Sequence, residues 1–512
     1  MRPRHRPEHT ERRTMATPTA TSPQHAGAFL QGTKRLLIDG ELVDAASGAT
    51  FETIDPGTGE VLATVAEGGA EDIDRAVKAA RRAFEGEWST LNPSERGRII
   101  HRIGDLIAEN AEELAELDSL DNGKPKAVAQ AADVALAADL FWYMAGWATK
   151  IKGGTVTPSV PYLPGAEFHA YTLREPIGVV GQIIPWNFPL LMAAWKLGPA
   201  LTTGNTVVLK PAEQTPLSAL RLGELMLEAG LPKGVVNVVP GFGETAGAAL
   251  AEHPDVNKIA FTGSTEVGKL IARAATGNLK RVSLELGGKS PNIIFDDADV
   301  DAAIAGAAQG IFFNQGEVCS AGSRLYVAEE HFDQVVEGVS AAAKGIKVGY
   351  GMDADTEMGP LVSQEQFDRV TGYLKKGQEE GSSAVAGGNN IDRPGYYVEP
   401  TVITGADANH AIVREEVFGP VIAALPFSDV EDLARQANDS HYGLAAGVWT
   451  RDISKAHKLA KRIQAGTVHI NTYHVFSAEL PFGGYKQSGW GREMGEEVLN
   501  NYLETKSVIV GL

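Results

Sequence analysis

The chain has 512 residues, of which 43% are hydrophobic, and its formal net charge is −19. That length predicts two or more domains, and the negative charge argues against nucleic acid or an anionic membrane surface as a partner. A single cysteine, Cys319, excludes an internal disulfide and indicates a reducing, cytoplasmic setting. No apolar run reaches the roughly 18 residues that a membrane-spanning helix needs.

The first 25 residues differ in composition from the rest of the chain. Five arginines lie among residues 1–13, and a stretch rich in Thr, Ala, Pro and Ser follows them. This composition predicts a disordered tail over residues 1–25, and it leaves either Met1 or Met15 as the start of translation. An organellar transit peptide is the weaker interpretation, because Glu8 and Glu11 interrupt the basic run.

Short strand and helix patterns open the folded part of the chain. Strands closed by turns are predicted at residues 36–41 and 52–56. Apolar residues at helical spacing predict a helix over residues 71–84. A longer helix is predicted over residues 94–121, where an Asn-Gly-Lys-Pro sequence ends it.

From Arg174 onward, strands and helices alternate. Four strands rich in Val and Ile are predicted, at residues 179–185, 206–211, 235–240 and 258–263. Helical segments such as residues 218–229 separate them. Continuous apolar strands that alternate with helices indicate a parallel sheet covered on both faces. Ligands bind such sheets beyond the carboxyl ends of the strands.

A second α/β unit is predicted from about Gly287. Its strands are expected at residues 292–295, 324–327 and 467–471. The chain closes with a short exposed strand over residues 506–510, and a terminal strand of this kind commonly pairs with another chain.

Chemically informative sequences recur at the predicted strand ends and in the second unit. In chain order they are Pro185-Trp186-Asn187-Phe188-Pro189, Lys210-Pro211-Ala212-Glu213, Phe261-Thr262-Gly263-Ser264, Leu284-Glu285-Leu286-Gly287-Gly288, Glu317-Val318-Cys319 and Glu415-Glu416-Val417-Phe418. Cys319 lies between Gly316 and Gly322. Most lone cysteines are buried structural residues, but a thiol in a glycine-flanked turn is open to a substrate, which favours a nucleophile.

Together these sequences resemble the NAD(P)-dependent aldehyde dehydrogenase superfamily, from about Leu36 to the C-terminus. The chain is most similar to the tetrameric, non-acylating enzymes of broad aldehyde range, with some similarity to phenylacetaldehyde dehydrogenases around Cys319. The resemblance implies an α/β fold with two Rossmann-like parallel-sheet domains, cofactor-binding and catalytic, plus a small β extension for oligomerisation. The expected ranges are 26–152 and 176–286 for the NAD-binding domain, 287–495 for the catalytic domain, and 153–175 with 496–512 for the oligomerisation segments.

The resemblance also implies four catalytic residues. Cys319 matches the nucleophile, whose thiolate attacks the aldehyde carbon. Asn187 matches the amide that, with the main-chain N–H of Cys319, stabilises the resulting oxyanion. Glu285 matches the general base that activates water to hydrolyse the thioester, and a partly apolar tunnel should raise its pKa. Lys196 matches a residue that helps to relay protons from Glu285.

NAD is the expected cofactor. Lys210 and Glu213 match residues that hold the adenine ribose, and a carboxylate there favours NAD over NADP because it repels a 2′-phosphate. Ser264 matches a pyrophosphate contact at a helix N-terminus. Glu416 matches the residue that binds the nicotinamide ribose, with Phe418 beside the ring. The other residues expected at the cofactor are Ile183, Ile184, Pro185, Trp186, Ala212, Gly243, Phe261, Thr262, Gly263, Val267 and Leu286.

Large apolar side chains fall where relatives line the substrate tunnel, namely Phe188, Met192, Trp195, Val318, Phe476 and Phe482. They favour hydrophobic or aromatic aldehydes, although such aromatics also commonly pack a core. Relatives acting on betaine aldehyde often have tryptophan where this chain has Phe482, which counts against a quaternary ammonium substrate. Glu317 replaces a common glutamine, and we expect it to raise the pKa of the Cys319 thiol slightly and to disfavour anionic substrates.

The expected assembly is a homotetramer, since Arg492 and Glu504 match residues that link the active site to a subunit interface. No metal site is expected. Three alternatives stay open at this point. A CoA-acylating enzyme of the same fold would typically lack a carboxylate at Glu285, and a betaine or amino aldehyde dehydrogenase would share the chemistry. A non-catalytic binding protein of the same fold would not need Cys319, Asn187 and Glu285 together.

Overall fold

The computed structural model describes residues 22–512. Both candidate start residues, Met1 and Met15, and most of the predicted tail over residues 1–25 lie outside the described residues. The described chain begins against the first long helices, where the main-chain N–H groups of His25 and Ala26 each donate to the Glu116 carboxylate at 2.8 Å.

The strands of the described chain are β1 (Leu36–Ile38), β2 (Glu41–Val43), β3 (Thr50–Asp55), β4 (Glu60–Ala66), β5 (Thr155–Val156), β6 (Phe168–Pro176), β7 (Val179–Ile183), β8 (Thr206–Lys210), β9 (Val236–Val238), β10 (Lys258–Thr262), β11 (Arg281–Glu285), β12 (Pro291–Ile294), β13 (Arg324–Ala328), β14 (Ser383–Ala386), β15 (Thr401–Thr404), β16 (Val421–Phe427), β17 (Ala445–Trp449), β18 (Thr467–Ile470), β19 (Gly489–Trp490) and β20 (Leu503–Gly511).

The α-helices are α1 (Ala70–Glu85), α2 (Glu87–Thr90), α3 (Pro93–Glu109), α4 (Ala111–Asn122), α5 (Lys126–Val128), α6 (Ala135–Trp147), α7 (Pro189–Thr202), α8 (Leu217–Glu228), α9 (Ala248–Glu252), α10 (Thr265–Ala275), α11 (Val300–Phe312), α12 (Phe332–Gly345), α13 (Gln364–Glu379), α14 (Ala411–Arg414), α15 (Val430–Asn438) and α16 (Ile453–Ala460). Two π-helical segments, Ala129–Val134 and Gly243–Gly247, lead into α6 and α9.

Two large sheets form the body of the molecule. The first has the order β19–β11–β10–β7–β8–β9–β1–β2, and its strands from β11 to β9 are parallel. The second has the order β14–β15–β16–β13–β12–β17–β18, and every neighbouring pair except β14–β15 is parallel. The prediction of an α/β fold with parallel sheets is confirmed. The predicted domain boundaries stay a prediction.

The strands of the first sheet are buried on both faces, as their continuous apolar sequences predict. In β8, Val207 and Leu209 belong to a core built with α3, α6 and α7. Val208, between them, points to the opposite face and packs into a second core with α1. Every residue of β8 is buried, so helices cover this sheet on both sides.

Antiparallel strands form a separate small sheet near the C-terminus. β20 pairs with β6 from Leu503 opposite Pro176 to Gly511 opposite Phe168, and β5 lies on the other side of β6. The predicted terminal strand over residues 506–510 is therefore part of β20, and within the described chain β20 is an edge of this sheet.

The predicted helix over residues 94–121 is wrong at one point, because the chain breaks it into α3 and α4. Asn110 lies between the two helices with φ −107° and ψ 26°. Its side-chain Nδ2 donates to the main-chain oxygen of Leu106 at 2.8 Å. An asparagine side chain that binds the preceding turn competes with helix continuation, and hydrophobic periodicity does not show this.

The chain passes from the first sheet to the second between β11 and β12. Glu285 is the last residue of β11, and Pro291 is the first residue of β12. The carboxyl ends of β7, β8 and β10 lie along the same edge of the first sheet, since Ile183 is paired with both Lys210 and Phe261. This edge, facing the second sheet, is where a ligand site is expected.

We expect Gly306→Ala to destabilise the protein, because α11 packs closely against the second sheet. A Cβ at this position would overlap the Trp449 ring, whose Nε1 donates to Asn292 Oδ1 at 2.8 Å. The overlap should cost about 1–3 kcal/mol of unfolding free energy, more than the gain in helix propensity. Denaturant titration would measure it.

Gly372→Ala is the matched control. This glycine lies in the middle of α13 with nothing within 4 Å of an added Cβ. The control should stabilise the protein by roughly 0.5–1 kcal/mol. Equal stability of the two variants would contradict the packing argument.

Candidate active site

A cavity of about 680 Å³ lies between the two large sheets. Most of the predicted site residues line it: Pro185, Trp186, Asn187, Phe188, Met192, Trp195, Thr262, Gly263, Ser264, Glu285, Leu286, Val318, Cys319, Glu416, Phe418, Phe476 and Phe482. The other predicted residues lie outside this lining: Ile183, Ile184, Lys196, Lys210, Ala212, Glu213, Gly243, Phe261 and Val267. The structure therefore brings the predicted nucleophile, amide and base to one enclosed space.

A left-handed turn delivers Cys319 to this cavity. After α11, Asn314 has φ 49°, Gln315 has φ 57° and Gly316 has φ 71°. A Cβ on Gly316 would overlap the main chain of Gly419, so only glycine fits at that point. Three consecutive residues in this sparsely populated region reverse the chain sharply. The reversal places the thiol at the cavity wall.

The Cys319 thiol is protonated in this environment at neutral pH. Burial raises its pKa to about 12, and the nearby carboxyl groups of Glu416 and Glu285 add to the shift. Main-chain N–H groups of Ser320 and Cys319 act in the opposite direction but do not offset it. A nucleophilic thiolate here therefore requires a base or an added positive charge in the cavity.

Asn187 lies close to the cysteine segment on the loop that joins β7 to α7. Its Nδ2 donates to the main-chain oxygen of Glu317 at 2.8 Å, and the residue is buried. An amide nitrogen carries two N–H groups. One of them is used in this contact, and the other is available to a ligand in the cavity that Asn187 and Cys319 both line.

Glu285 presents a carboxylate with an unpartnered oxygen to the cavity. The residue is 5% exposed, and its Oε2 has no hydrogen-bond partner within residues 22–512. Burial raises its pKa well above the usual range, and the negative charge of Glu493 adds to the shift. The charges of Lys196 and Arg492 oppose it. A carboxyl group of raised pKa is suited to proton transfer near neutral pH.

Lys196 lies behind the cavity rather than in its wall. Its Nζ donates to Glu493 Oε1 at 2.9 Å, and both side chains are almost fully buried. Lys196 and Glu493 both act on the pKa of Glu285. The predicted base therefore has a buried ion pair close behind it. Sequence reasoning missed Glu493, which belongs to no strand-end motif.

The end of β10 forms a helix N-terminus open to the cavity. Ser264 caps α10, with its hydroxyl accepting a hydrogen bond from the Val267 main-chain N–H at 3.2 Å. The Thr262 hydroxyl is buried without a hydrogen-bond partner in the described chain. An added Cβ on Gly263 would lie 2.5 Å from the Phe261 ring, so this position favours glycine. Without a side chain there, the main-chain N–H groups of the turn remain accessible to a ligand. Free N–H groups and the helix dipole make such a terminus an anion site.

Lys210 and Glu213 form a pair at the end of β8. Lys210 Nζ lies 3.0 Å from Glu213 Oε2, with the lysine buried and the glutamate partly exposed. Gly243 follows β9, and an added Cβ there would meet nothing within 4 Å. Together with Val267, which is 40% exposed on α10, these residues extend the carboxyl edge of the first sheet outward from the cavity.

Glu416 reaches the same space from the second sheet. Its Oε1 accepts a hydrogen bond from the Gly288 main-chain N–H at 2.8 Å. Burial raises the pKa of Glu416 to about 7. A Cβ on Gly287 would overlap this carboxylate, so the glycine is required for the approach. Phe418 stacks edge-on against the Trp186 ring, with centroids 5.2 Å apart.

Most of the predicted substrate residues are aromatic, and they form part of the cavity wall. Trp195 and Phe482 pack edge to face with centroids 5.3 Å apart, and Phe476 and Phe482 at 5.9 Å. Phe188 stacks on Phe313 at 6.2 Å. These aromatics pack against one another and also face the cavity, so both interpretations of the aromatic pattern apply.

Glu317 does not have the position expected from the sequence. It is fully buried and outside the cavity lining, and its Oε1 accepts a hydrogen bond from the Val362 main-chain N–H at 3.1 Å. Burial raises the pKa of Glu317 well above the usual range. The carboxyl groups that raise the thiol pKa are those of Glu416 and Glu285. Glu317 is not among the leading causes of the thiol pKa shift, and its expected effects on the thiol and on anionic substrates stay predictions.

Several cavity residues carried no sequence signal. They come from the π-helical segment and the start of α6, from α7, α10, α11 and α13, and from the chain after α11 and after β18: Ala131, Ala132, Leu136, Leu191, Glu266, Gln309, Glu365, Gln366, Arg369, Phe313, His474 and Val475. Leu191 could have been found, because it lies one helical turn before Trp195 on α7. The segment around Ala131 precedes the first motif by some fifty residues and only tertiary packing places it here.

Arg492 and Glu504, the predicted interface residues, are separate in this chain. Arg492 Nη1 donates to the main-chain oxygens of Gly484 and Gly491. Glu504 pairs with Arg281 at 2.9 Å on the surface. Their role in an assembly stays a prediction.

The described residues contain neither a cluster of metal ligands nor a membrane-spanning helix. Within residues 22–512, no group of three or more His, Cys, Asp or Glu side chains is arranged to hold a metal ion. Among the helices of the same part of the chain, none is both long and apolar enough to cross a membrane.

Known proteins resemble this chain in sequence and in fold over most of their length. The model of the aldehyde dehydrogenase family matches residues 42–508. A Bacillus subtilis (strain 168) protein named as the aldehyde dehydrogenase DhaS is 55% identical over 485 residues, covering 94% of this chain and 97% of the relative. A mitochondrial benzaldehyde dehydrogenase of Antirrhinum majus is 51% identical over 480 residues, covering 93% and 89%.

Among solved structures, the NAD⁺ complex of an aldehyde dehydrogenase from Bacillus cereus superimposes with a TM-score of 0.94. It is 52% identical, and the match covers 96% of this chain and 99% of that one. Family model, sequence relatives and structure agree along the same residues. The chain therefore belongs to the aldehyde dehydrogenase family.

Proposed function

We propose that this aldehyde dehydrogenase uses NAD⁺ to oxidise a hydrophobic aldehyde to the free carboxylic acid through a thioester on Cys319. One observation carries the proposal. A single cavity between the two sheets holds a thiol, a side-chain amide beside it, and a buried carboxylate, one oxygen of which has no hydrogen-bond partner among residues 22–512. These are the groups that acyl transfer to water needs: a nucleophile, an oxyanion donor and a general base.

In the first half of the reaction, Sγ of Cys319 adds to the carbonyl carbon of the aldehyde. The thiol proton must leave first, because burial holds the thiol pKa at about 12. This proton is released to solvent, which leaves the Glu285 carboxylate free to act in the second half. The free N–H of Asn187 Nδ2 and the main-chain N–H of Cys319 then donate to the oxygen, where negative charge develops.

NAD⁺, when bound, supplies the two-electron acceptor that turns the tetrahedral adduct on Cys319 into a thioester. In the second half, Glu285 takes a proton from water, and the resulting hydroxide adds to the thioester carbon. The carbon–sulfur bond breaks, the acid leaves, and Sγ is regenerated. Within the Lys196–Glu493 pair near Glu285, the negative charge of Glu493 raises the pKa of Glu285 and the positive charge of Lys196 lowers it.

The residues present fit a dinucleotide. The α10 N-terminus with Ser264 would hold the pyrophosphate, and the unpartnered Thr262 hydroxyl lies beside it. Lys210 and Glu213 would hold the adenine ribose, and Glu213 would repel a 2′-phosphate, which favours NAD over NADP. Glu416, in the cavity beside Cys319, would hold the nicotinamide ribose. The solved NAD⁺ complex of the Bacillus cereus relative supports this assignment.

Hydrophobic and aromatic aldehydes are the proposed substrates. The wall of Trp195, Phe476 and Phe482 offers apolar contacts and little polar surface. A relative of 51% identity is named a benzaldehyde dehydrogenase, which supports an aromatic preference. The CoA-acylating alternative is disfavoured because Glu285 stands where water can be activated.

We also propose a cytoplasmic homotetramer. The small sheet of β5, β6 and β20 exposes several apolar side chains, including Val156 at 60% and Ile509 at 65%. An exposed apolar edge strand is a surface that pairs with another chain. The single free thiol supports a reducing compartment.

Glu285→Gln separates formation of the thioester on Cys319 from its hydrolysis by water. We expect one NADH per active site in a rapid burst, followed by turnover that is about 10²–10⁴-fold slower than in the wild type, because the thioester forms but water is not activated. Stopped-flow absorbance would measure the burst, and intact-mass analysis would find the acyl group on the protein. Cys319→Ala should give neither burst nor adduct. Turnover of Glu285→Gln within threefold of the wild type would contradict the assigned base.

The pH profile of kcat should report the raised pKa of Glu285. The base acts when deprotonated, so the rate rises with pH through its pKa. Glu493→Gln removes a negative charge that raises this pKa, so the ascending limb should move to lower pH. Glu431→Gln, which removes an exposed partner of Arg462, is the control and should leave the limb in place. A limb displaced to higher pH in Glu493→Gln would refute the electrostatic argument.

The substrate class can be ranked directly. With NAD⁺, kcat/KM for phenylacetaldehyde and hexanal should exceed that for betaine aldehyde by at least about tenfold, since an apolar tunnel does not replace the hydration of an ammonium group. Adding CoA should not change the product from free acid to acyl-CoA. Betaine aldehyde as the best of the three, or acyl-CoA as the main product, would overturn the assignment.

A further inference from the structure

A fully buried ion pair lies behind the loop that carries Asn187. Lys124 Nζ is 2.7 Å from Asp133 Oδ1, and both side chains are 0% exposed. Lys124 follows α4 in the turn Asn122–Pro125, and Asp133 lies in the π-helical segment before α6. Neither residue belongs to the two large sheets or to any of the sequences that indicated the function.

The turn holds two consecutive main-chain carbonyl groups of the loop. Asn122 Nδ2 donates to the oxygen of Trp186 at 3.0 Å. Lys124 Nζ donates to the oxygen of Asn187 at 2.9 Å. Two neighbouring carbonyl groups fixed from one turn orient the peptide planes on both sides of the Asn187 Cα, and with them the direction of its Cα–Cβ bond.

The turn itself has little freedom. Gly123 has φ 93°, in the left-handed region, and an added Cβ would lie 2.8 Å from Pro360. The Lys124 ammonium also lies 4.1 Å from the centre of the Phe188 ring, which is a cation–π contact within a desolvated site. The lysine therefore contacts the last two residues of the loop before α7, Asn187 by its main-chain oxygen and Phe188 by its ring.

Hydrogen bonds therefore hold both the main chain and the side chain of Asn187. Its main-chain oxygen accepts from Lys124 Nζ and from Asn314 Nδ2, the latter at 3.0 Å. Its side-chain Nδ2 donates to the oxygen of Glu317 at 2.8 Å. The second N–H of that amide is the one left to point into the cavity, so its direction depends on these contacts.

A structural role alone does not account for a charged pair here. Burying an ion pair costs desolvation free energy, and apolar residues of similar volume often stabilise a fold equally well or better. Asp118 is buried beside the pair as a second carboxyl group, which adds to the cost. The arrangement delivers a strong, directed donor to one carbonyl oxygen.

We propose that Lys124, anchored by Asp133, is a positioning residue for oxyanion stabilisation, because it fixes the main chain of Asn187 and so aims the side-chain amide at the developing oxyanion. The inference rests on the oxyanion role proposed above for Asn187. Loss of one oxyanion donor costs about 10²–10³-fold in kcat, and small misplacements of a catalytic group cost up to about 10²-fold.

The test is a double-mutant cycle on the full-length enzyme between Lys124→Met and Asn187→Ala. The readout is the single-turnover rate of NADH formation at saturating phenylacetaldehyde and NAD⁺. We expect Lys124→Met to lower this rate by about 10–100-fold and to leave the Kd for NAD⁺ within about twofold. In the Asn187→Ala background the same substitution should cost less than about threefold, because the amide that it positions is absent.

Two companion variants separate positioning from folding. Lys124→Met/Asp133→Leu removes both charges, so it avoids an unpaired buried carboxylate, and it should be as slow as Lys124→Met while melting close to the wild type. Lys280→Met removes another buried lysine, which donates to the main-chain oxygens of Ala251 and His253 away from the cavity. It should lower stability without slowing NADH formation.

The outcomes are distinct. Losses that multiply fully in Lys124→Met/Asn187→Ala, or a double variant Lys124→Met/Asp133→Leu that is folded and as fast as the wild type, would overturn the positioning role while leaving the proposed function intact. A wild type that forms no NADH, or an Asn187→Ala variant that is unimpaired, would instead overturn the proposed function or the oxyanion assignment on which this inference rests.

Discussion

Desolvation of ionisable groups between the two sheets is the constraint on which the rest of the site depends. The cavity is enclosed by buried strand ends and aromatic side chains, so charges in it are poorly solvated. The pKa values of Glu285, Glu416 and Cys319 all move upward for this first reason. The same enclosure that makes the thiol hard to ionise makes the carboxyl group a better base near neutral pH. The same burial therefore sets the ionisation of both the nucleophile and the base.

The fold supplies this enclosure through its connectivity. The strand ends of the first sheet contribute Glu285 and the helix N-terminus of α10, and the second sheet contributes Cys319 and Glu416. The two sets meet because the chain crosses between sheets directly after Glu285. Glycines at this crossing, such as Gly287, leave room where any side chain would overlap a carboxylate. A relative shift of the sheets would separate the thiol from its base.

Much of this could be predicted from the sequence, and the failures have physical causes. Strand-end motifs and the lone cysteine indicated the chemistry, since strand ends of a parallel sheet share one edge. Glu317 shows what sequence cannot give, namely the direction of a side chain. It lies two residues before Cys319, yet its carboxyl group points to the Val362 N–H. Burial raises the pKa of Glu317 well above the usual range, a shift that follows from where its side chain points.

Residues that act through a neighbour could not be predicted from the sequence either. Glu493 and Lys124 belong to no strand-end motif, and each becomes meaningful only through the group it contacts. The break at Asn110 is of the same kind, because one side-chain hydrogen bond decides it. Periodicity reports which face of an element is buried, but not which polar group a buried side chain meets.

Two buried lysine–carboxylate pairs stand behind the site, and their arrangement has a common logic. Lys196–Glu493 lies beneath the base Glu285, and Lys124–Asp133 lies beneath the amide of Asn187. Each pair places a strong donor among buried side chains while keeping the local charge balanced. Lys196 lowers the pKa of Glu285, which Glu493 raises, and Lys124 donates to the main-chain oxygen of Asn187. The paired carboxylate offsets each lysine's charge, so each lysine acts on a catalytic side chain without adding net positive charge behind the cavity.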